Sequence, residues 1–303
     1  MHALRVMDRS TSASFHKNPF AGQWADRTHS LSWQARSGFL VARNSLIPGR
    51  LRLNSHPMER TASRVPRFFV SSPLFSGTEI DLPAPAARHC TALRLHRGSP
   101  VTLFDGRGGE FLAELTLISR EGARARVDAR RTVDLESPLF ILLAQCLSSG
   151  DRMDITLQKS TELGVAVFAP ISSERSVVRL APERVDRRIA HWRNVAVAAC
   201  EQCGRNRVPE VASLRDIDSF LVDAETPGLR LMLAPGAKQR LKDLEPPRSV
   251  TLLVGPEGGL TPTEKRTAER SGFVPVALGP RVLRTETAPI AAIAAMQALW
   301  GDG

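Results

Sequence analysis

Val250-Thr251-Leu252-Leu253-Val254 runs straight into Gly255-Pro256-Glu257-Gly258-Gly259-Leu260, and that turn runs into Thr261-Pro262-Thr263-Glu264. The first five residues read as a buried strand. The last four carry the marks of a helix start: Thr261 to cap, Pro262 at the first helical position, and Glu264 to complete a capping box. Strand, glycine-rich turn and helix follow without a gap, and in an open α/β sheet such a junction is where ligands bind. The turn has no Lys and no G-x-G-x-x-G spacing, so the usual phosphate-cradling loops do not apply.

The same alternation extends outward. Residues 139–144, 165–171, 229–234 and 273–278 read as strands, and residues 151–163, 182–203, 262–270 and 287–300 as helices. Alternating strands and helices predict an α/β domain built on a parallel sheet covered on both faces. Before residue 134 the pattern differs. Residues 67–70, 100–104, 110–118 and 123–133 read as strands, with a hairpin signal at Asp105-Gly106-Arg107-Gly108-Gly109 and one short helix over 86–94. This predicts a small barrel-like β module over 58–134, followed by the α/β domain over 138–303.

Residues 1–57 show no sustained periodicity. They hold eight Arg or Lys against two Asp and read as a disordered or leader-like extension, or as a start placed upstream of Met58. The whole chain of 303 residues has a net charge of +10. That suits a polyanionic partner such as nucleic acid, and equally a mildly basic enzyme with a solvated Arg surface. No apolar run reaches membrane-spanning length, so no membrane association is expected. Of the four cysteines, Cys200 and Cys203 form a C-x-x-C without a second pair. They read as free thiols packed in a helix, which fits a reducing, cytoplasmic setting. His89 beside Cys90 has no further ligand at metal spacing, so no metal site is expected.

Two loops follow consecutive strands of the α/β domain: residues 255–260, and Gly279-Pro280-Arg281-Val282-Leu283-Arg284-Thr285-Glu286-Thr287-Ala288. In a parallel sheet both lie on one edge and line one pocket, with glycines letting the backbone approach a ligand. Thr285 and Thr287 offer hydroxyls and are candidates to cap the last helix. That helix carries an apolar stripe, Ile290, Ile293, Met296 or Gln297, and Trp300, fit for core packing or for a subunit interface.

At these loops the chain resembles a known family. Gly255-Pro256-Glu257-Gly258-Gly259, followed by Leu278-Gly279-x-Arg281-Val282-Leu283-Arg284-Thr285-Glu286-Thr287-Ala288, is similar to the RsmE family of SPOUT methyltransferases, which modify N3 of a uridine in 16S ribosomal RNA. Gln158-Lys159-x-Thr161-Glu162-Leu163-Gly164, Ser173-Glu174-Arg175-Ser176 and Glu201-Gln202-x-Gly204-Arg205 add to the match. So do Arg67-Phe68-Phe69-Val70, His89, Leu93-Arg94 and Asp105-Gly106 in the first module. The resemblance covers about residues 64–300 and leaves residues 1–57 without a counterpart.

The resemblance implies a PUA-like barrel, a C-terminal domain with a deep trefoil knot, a homodimer, and S-adenosylmethionine as methyl donor. It places Leu253, Gly255, Glu257, Gly258 and Gly259 at the donor, together with Leu278, Gly279, Val282, Leu283, Thr285, Thr287 and Ala288. The substrate it implies is 16S rRNA in the small ribosomal subunit, gripped through Arg67, Arg94, Arg97, Lys159, Arg175 and Arg205. The reaction needs the uracil N3 to lose a proton. Arg284 or Arg205 is a candidate to stabilise the charge that forms, and Glu257 or Glu286 to take the proton. Two other readings stand beside this one: a SPOUT enzyme acting on another rRNA or tRNA position, and a non-catalytic RNA-binding assembly factor.

Overall fold

The structure is a computed structural model, and it describes residues 65–222 and 228–303. The expectation for residues 1–57, and for a start at Met58, lies outside them. The first module contains β1 (Arg67–Phe69), β2 (Glu79–Asp81), α1 (Ala84–Ala92), β3 (Pro100–Phe104), β4 (Glu110–Ile118) and β5 (Ala123–Arg131). Its five strands lie in the order β1-β3-β4-β5-β2, parallel between β1 and β3 and antiparallel elsewhere. Two register shifts between β4 and β5, at Phe111/Ala113 and Leu115/Leu117, bend the long hairpin. The concave face closes over Phe68, Val101, Leu103, Leu115, Ala125 and Val127, with α1 supplying Ala86 and Cys90. This is the expected barrel-like module. β2 was not expected, because three residues with no buried position give no alternation to read.

The second part contains β6 (Phe140–Cys146), α2 (Asp151–Glu162), β7 (Val167–Ser172), α3 (Pro182–Cys203), β8 (Glu210–Val211), β9 (Arg215–Asp216), α4 (Ile217–Val222), β10 (Leu229–Leu233), β11 (Ser249–Val254), α5 (Pro262–Arg270), β12 (Val274–Val276) and α6 (Thr287–Trp300). The strands form one parallel sheet in the order β12-β10-β11-β6-β7-β8, with β9 also on β7. One face packs on α2, α3 and α6 through Met153, Leu157, Ile189, Trp192, Ile293 and Met296. The other packs on α4 and α5 through Ile217, Phe220, Leu221 and Ala268. Each of the larger of these side chains, fully buried, contributes roughly 1.5–3 kcal/mol of transfer free energy.

The parity of β11 follows from this layering. Val250, Leu252 and Val254 face the α2/α3/α6 side, whereas Leu253 faces α4 and α5. The last helix differs from the expected stripe. Its buried positions are Pro289, Ala292, Ile293, Met296 and Gln297, while Ile290 and Trp300 are only half-buried. Gln297 is a polar anchor. Its amide donates to the Leu163 carbonyl at 2.7 Å, and its carbonyl oxygen accepts from Ser137 Oγ at 2.8 Å. Gly164, at φ +89°, sits under that amide, and a Cβ there would lie 2.7 Å from Gln297 Nε2. The capping box at α5 forms as read, with Glu264 N donating to Thr261 Oγ1 and Thr261 N to Glu264 Oε2.

Arg67 joins the two modules, and Arg205 ties the second module to the segment that connects them. Arg67, on β1, pairs with Glu110 and donates to the Gly204 carbonyl and Asn206 Oδ1 just past the end of α3. Arg205 pairs with Glu136 and donates to the Thr161 and Val165 carbonyls, 2.8 Å each, at the end of α2. Each guanidinium thus meets the negative end of a helix as well as a carboxylate.

Candidate donor and RNA site

The C-terminal ends of β10, β11 and β12 surround a cavity of about 460 Å³, within the size range of small-molecule sites. Its floor is apolar, from Leu233, Val254, Leu260, Val276 and Leu278. The two expected loops do meet there. From the first, Gly255, Glu257 and Gly259 line the cavity; from the second, Gly279, Val282, Leu283, Arg284, Thr285 and Ala288 do so. A turn closes the first loop, with Gly259 N donating to the Pro256 carbonyl at 2.9 Å. Gly259 itself stands at φ +66°, a conformation that favours glycine.

Thr285 ties the loops to each other. Its hydroxyl donates to the Gly255 carbonyl at 3.0 Å and accepts from Gln145 Nε2 at 3.3 Å. It therefore does not cap α6, whose first residue is Thr287 and whose N-cap position is Glu286, with no side-chain cap. The expectation of a threonine cap is corrected for that reason: the hydroxyl is drawn sideways into the strand ends. Thr285→Val keeps the shape and removes both bonds, leaving the Gly255 carbonyl without this donor. We expect a loss of about 1–3 kcal/mol in the stability of the donor complex, read as a weaker donor Kd in calorimetry.

Several expected residues lie elsewhere. Leu253 is buried against α4 and α5, and Val254 takes the place at the cavity, because one step along a strand reverses the face. Gly258 points outward beside Arg175, which donates to the Gly258 carbonyl at 3.2 Å. Thr287 is exposed and outside the cavity wall. Arg67 bridges the two modules, and Arg205 braces the end of α2 against the connecting segment. Their guanidinium groups are occupied and nearly inaccessible, so neither grips RNA or stabilises charge at the cavity. Arg94, Arg97 and Arg175 are exposed, and Lys159 pairs with Glu162 on the α2 surface.

The two candidate bases differ from their expected roles as well. Glu257 Oε1 accepts from Ser149 N at 2.9 Å, Ser149 Oγ at 3.0 Å and Arg152 Nη1 at 2.8 Å. Burial alone would raise its pKa, but these donors outweigh it and hold the carboxyl below its ordinary value of 4.5. A carboxylate so satisfied is a poor proton acceptor near neutrality. Its folded-state pKa is depressed, so what it contributes is present above the ordinary value and lost as pH falls through the lowered one. This share of the stability should therefore stay flat through neutrality and be lost only on acidification below 4.5, which thermal melts across pH follow. The Glu286 side chain turns from the cavity toward α2, with Oε2 3.7 Å from Arg152 Nε.

Three features were not read from the sequence. The bend after β10, Ala234-Pro235, is a third wall. Lys265 and Arg281 add cations at the rim, and Arg152 enters from the first turn of α2. The cysteines are as read: Cys200 is buried and free, with burial pushing its thiol up to about 12, and Cys203 is half-buried and free. Among the described residues no cluster of three or more His, Cys, Asp or Glu could hold a metal ion, and no helix is long and apolar enough to cross a membrane.

A parallel sheet with a looped pocket at its rim, behind a small β module, is a ligand-binding α/β architecture, and the sequence matches give it its class, an RNA methyltransferase. The sequence matches the RNA methyltransferase domain over residues 135–297 and the RNA methyltransferase PUA domain over residues 82–128. It is 32% identical over 241 residues to the ribosomal RNA small subunit methyltransferase E of Buchnera aphidicola, covering 79% of this chain and 98% of that one. Among solved structures, the ribosomal RNA small subunit methyltransferase E of Neisseria gonorrhoeae bound to S-adenosyl methionine superposes with a TM-score of 0.73, at 44% identity, over 78% of this chain and 99% of that one. A Legionella pneumophila methyltransferase with bound cofactor SAM gives a TM-score of 0.77 at 38% identity, over 79% of this chain and all (100%) of that one. The chain belongs to the ribosomal RNA small subunit methyltransferase E family.

Proposed function

We propose that this protein transfers a methyl group from S-adenosylmethionine to N3 of a uridine in the 16S rRNA of the small ribosomal subunit. The observation that carries this is the cavity itself: three bends on one sheet edge, two of them tied by Thr285, around an apolar floor. The residues fit the donor. Leu233, Val254 and Leu278 offer flat apolar contact to a purine, and the Gly255 and Gly279 backbones leave room for a close approach. When bound, S-adenosylmethionine supplies a methyl group already activated by its sulfonium.

The chain's own residues orient and stabilise. The floor excludes water from one side of the pocket, and the loops set the line along which the ring nitrogen must arrive. Arg284 is exposed at the cavity wall and has no ion-pair partner among the described residues. Its guanidinium stabilises the negative charge that spreads over the uracil carbonyls as N3 is deprotonated. Among the described residues of the wall Glu257 is the one carboxylate, and its Oε1 already accepts three donors, so the proton leaves to water at the mouth.

Arg94 and Arg97 on the barrel and Arg175 beside the pocket face solvent and grip phosphates. We take the barrel to span 58–134 and the catalytic domain 138–303. A knotted C-terminus is favoured by the chain path: β12 lies outside β10, yet the following loop returns to the ends of β11 and β6 before α6 packs beneath α2. A homodimer is favoured by the apolar groove between Leu241, Leu278, Ala291, Ala295 and Leu299. A ribosomal substrate favours a cytoplasmic location.

The test is incubation with labelled donor and small subunits from a strain lacking the activity, followed by nucleoside mass spectrometry. Label on a uridine N3 of 16S rRNA is expected. Label on a ribose hydroxyl or in tRNA overturns the assignment.

A further inference from the structure

We propose that Arg152 is a positioning residue that holds both donor-binding loops through one guanidinium. The proposal rests on the donor-pocket reading above. Arg152 stands in the first turn of α2, an element that otherwise has no part in the pocket. Its Nη1 donates to Glu257 Oε1 at 2.8 Å, fixing the loop after β11. Its Nε lies 3.7 Å from Glu286 Oε2, at the N-cap of α6, where the second loop ends. That Glu286 oxygen is buried and has no hydrogen bond, so the Arg152 charge is what compensates it. Ser149 adds two further donors to Glu257 from the same stretch of chain. Two carboxylates from separate loops thus converge on one cation, and without it they would repel. A guanidinium offers separate N–H edges to two acceptors, which an ammonium at the same place does not.

The donor-free readout is amide hydrogen exchange across residues 255–260 and 284–288. The binding readout is calorimetry with S-adenosylmethionine. In R152M, exchange in both loops should accelerate at least about tenfold and donor affinity should fall roughly tenfold, the scale of one charge-assisted hydrogen bond. R152K should recover only part of that loss. E286Q alone should weaken binding, but in the R152M background it should restore affinity, since it removes one of two carboxylates left facing each other. Exchange and affinity unchanged in R152M would overturn the proposal, and so would additive losses in the double variant. If the wild type takes up no donor, the donor reading fails, and the exchange measurement alone decides the role of Arg152.

Discussion

Replacing Arg205 by alanine destabilises the fold by about 3–5 kcal/mol, the range for removing one partner of a buried ion pair. The side chains of Arg205 and Glu136 are 6% and 13% exposed. The variant leaves Glu136 with only the Arg207 amide, 3.2 Å from its Oε1, removes the Arg205 donor from the Val165 carbonyl, and leaves the Thr161 carbonyl with the Gly164 amide alone. For a chain of this size the loss corresponds to a melting temperature lower by roughly 10 °C. Lysine does not rescue it, because a single ammonium cannot reach a carboxylate and two diverging carbonyls together. The double variant Arg205→Met with Glu136→Leu should recover much of the stability, since no charge is then left buried alone. Differential scanning calorimetry reads all three. Below the new melting temperature donor affinity should be unchanged, since Arg205 does not touch the cavity. A change under about 1 kcal/mol would show that this buried pair does not carry the stability assigned to it.

The second large effect is on turnover. Arg284→Ala should lower the rate of methyl transfer roughly 10²–10³-fold, as removal of one charge-stabilising donor does elsewhere. Donor affinity should stay within a few-fold, because the loop backbone is held by Thr285 rather than by this guanidinium. Single-turnover kinetics with saturating donor separate the two. If turnover survives in the variant, the charge-stabilising role is wrong.

The sequence was most legible where local rules act alone. The capping box at Thr261 and Glu264 set the start of α5, and the apolar periodicity of residues 182–203 and 287–300 set whole helices. It was least legible where the outcome depends on tertiary partners. A strand buried on both faces has no alternation to show its phase, so Leu253 and Val254 could not be told apart before the helices were placed. Arg67 and Arg205 looked like surface cations because nothing local announces that Glu110 and Glu136 lie beside them. Thr285 resembled a cap because its spacing is right, and only the neighbouring Gly255 carbonyl draws it away. Arg152 sits in an unremarkable first turn of a helix. Its meaning comes from residues over a hundred positions later in the chain.

Arg67, through Gly204 and Asn206, holds barrel and catalytic half as one stiff body, and Arg205 braces the segment between them. Such a body works as a gauge of fixed span. Anchored on one stretch of rRNA, it offers its reactive mouth only at a set distance and direction, so a base is accepted by where the folded particle holds it as well as by what it is.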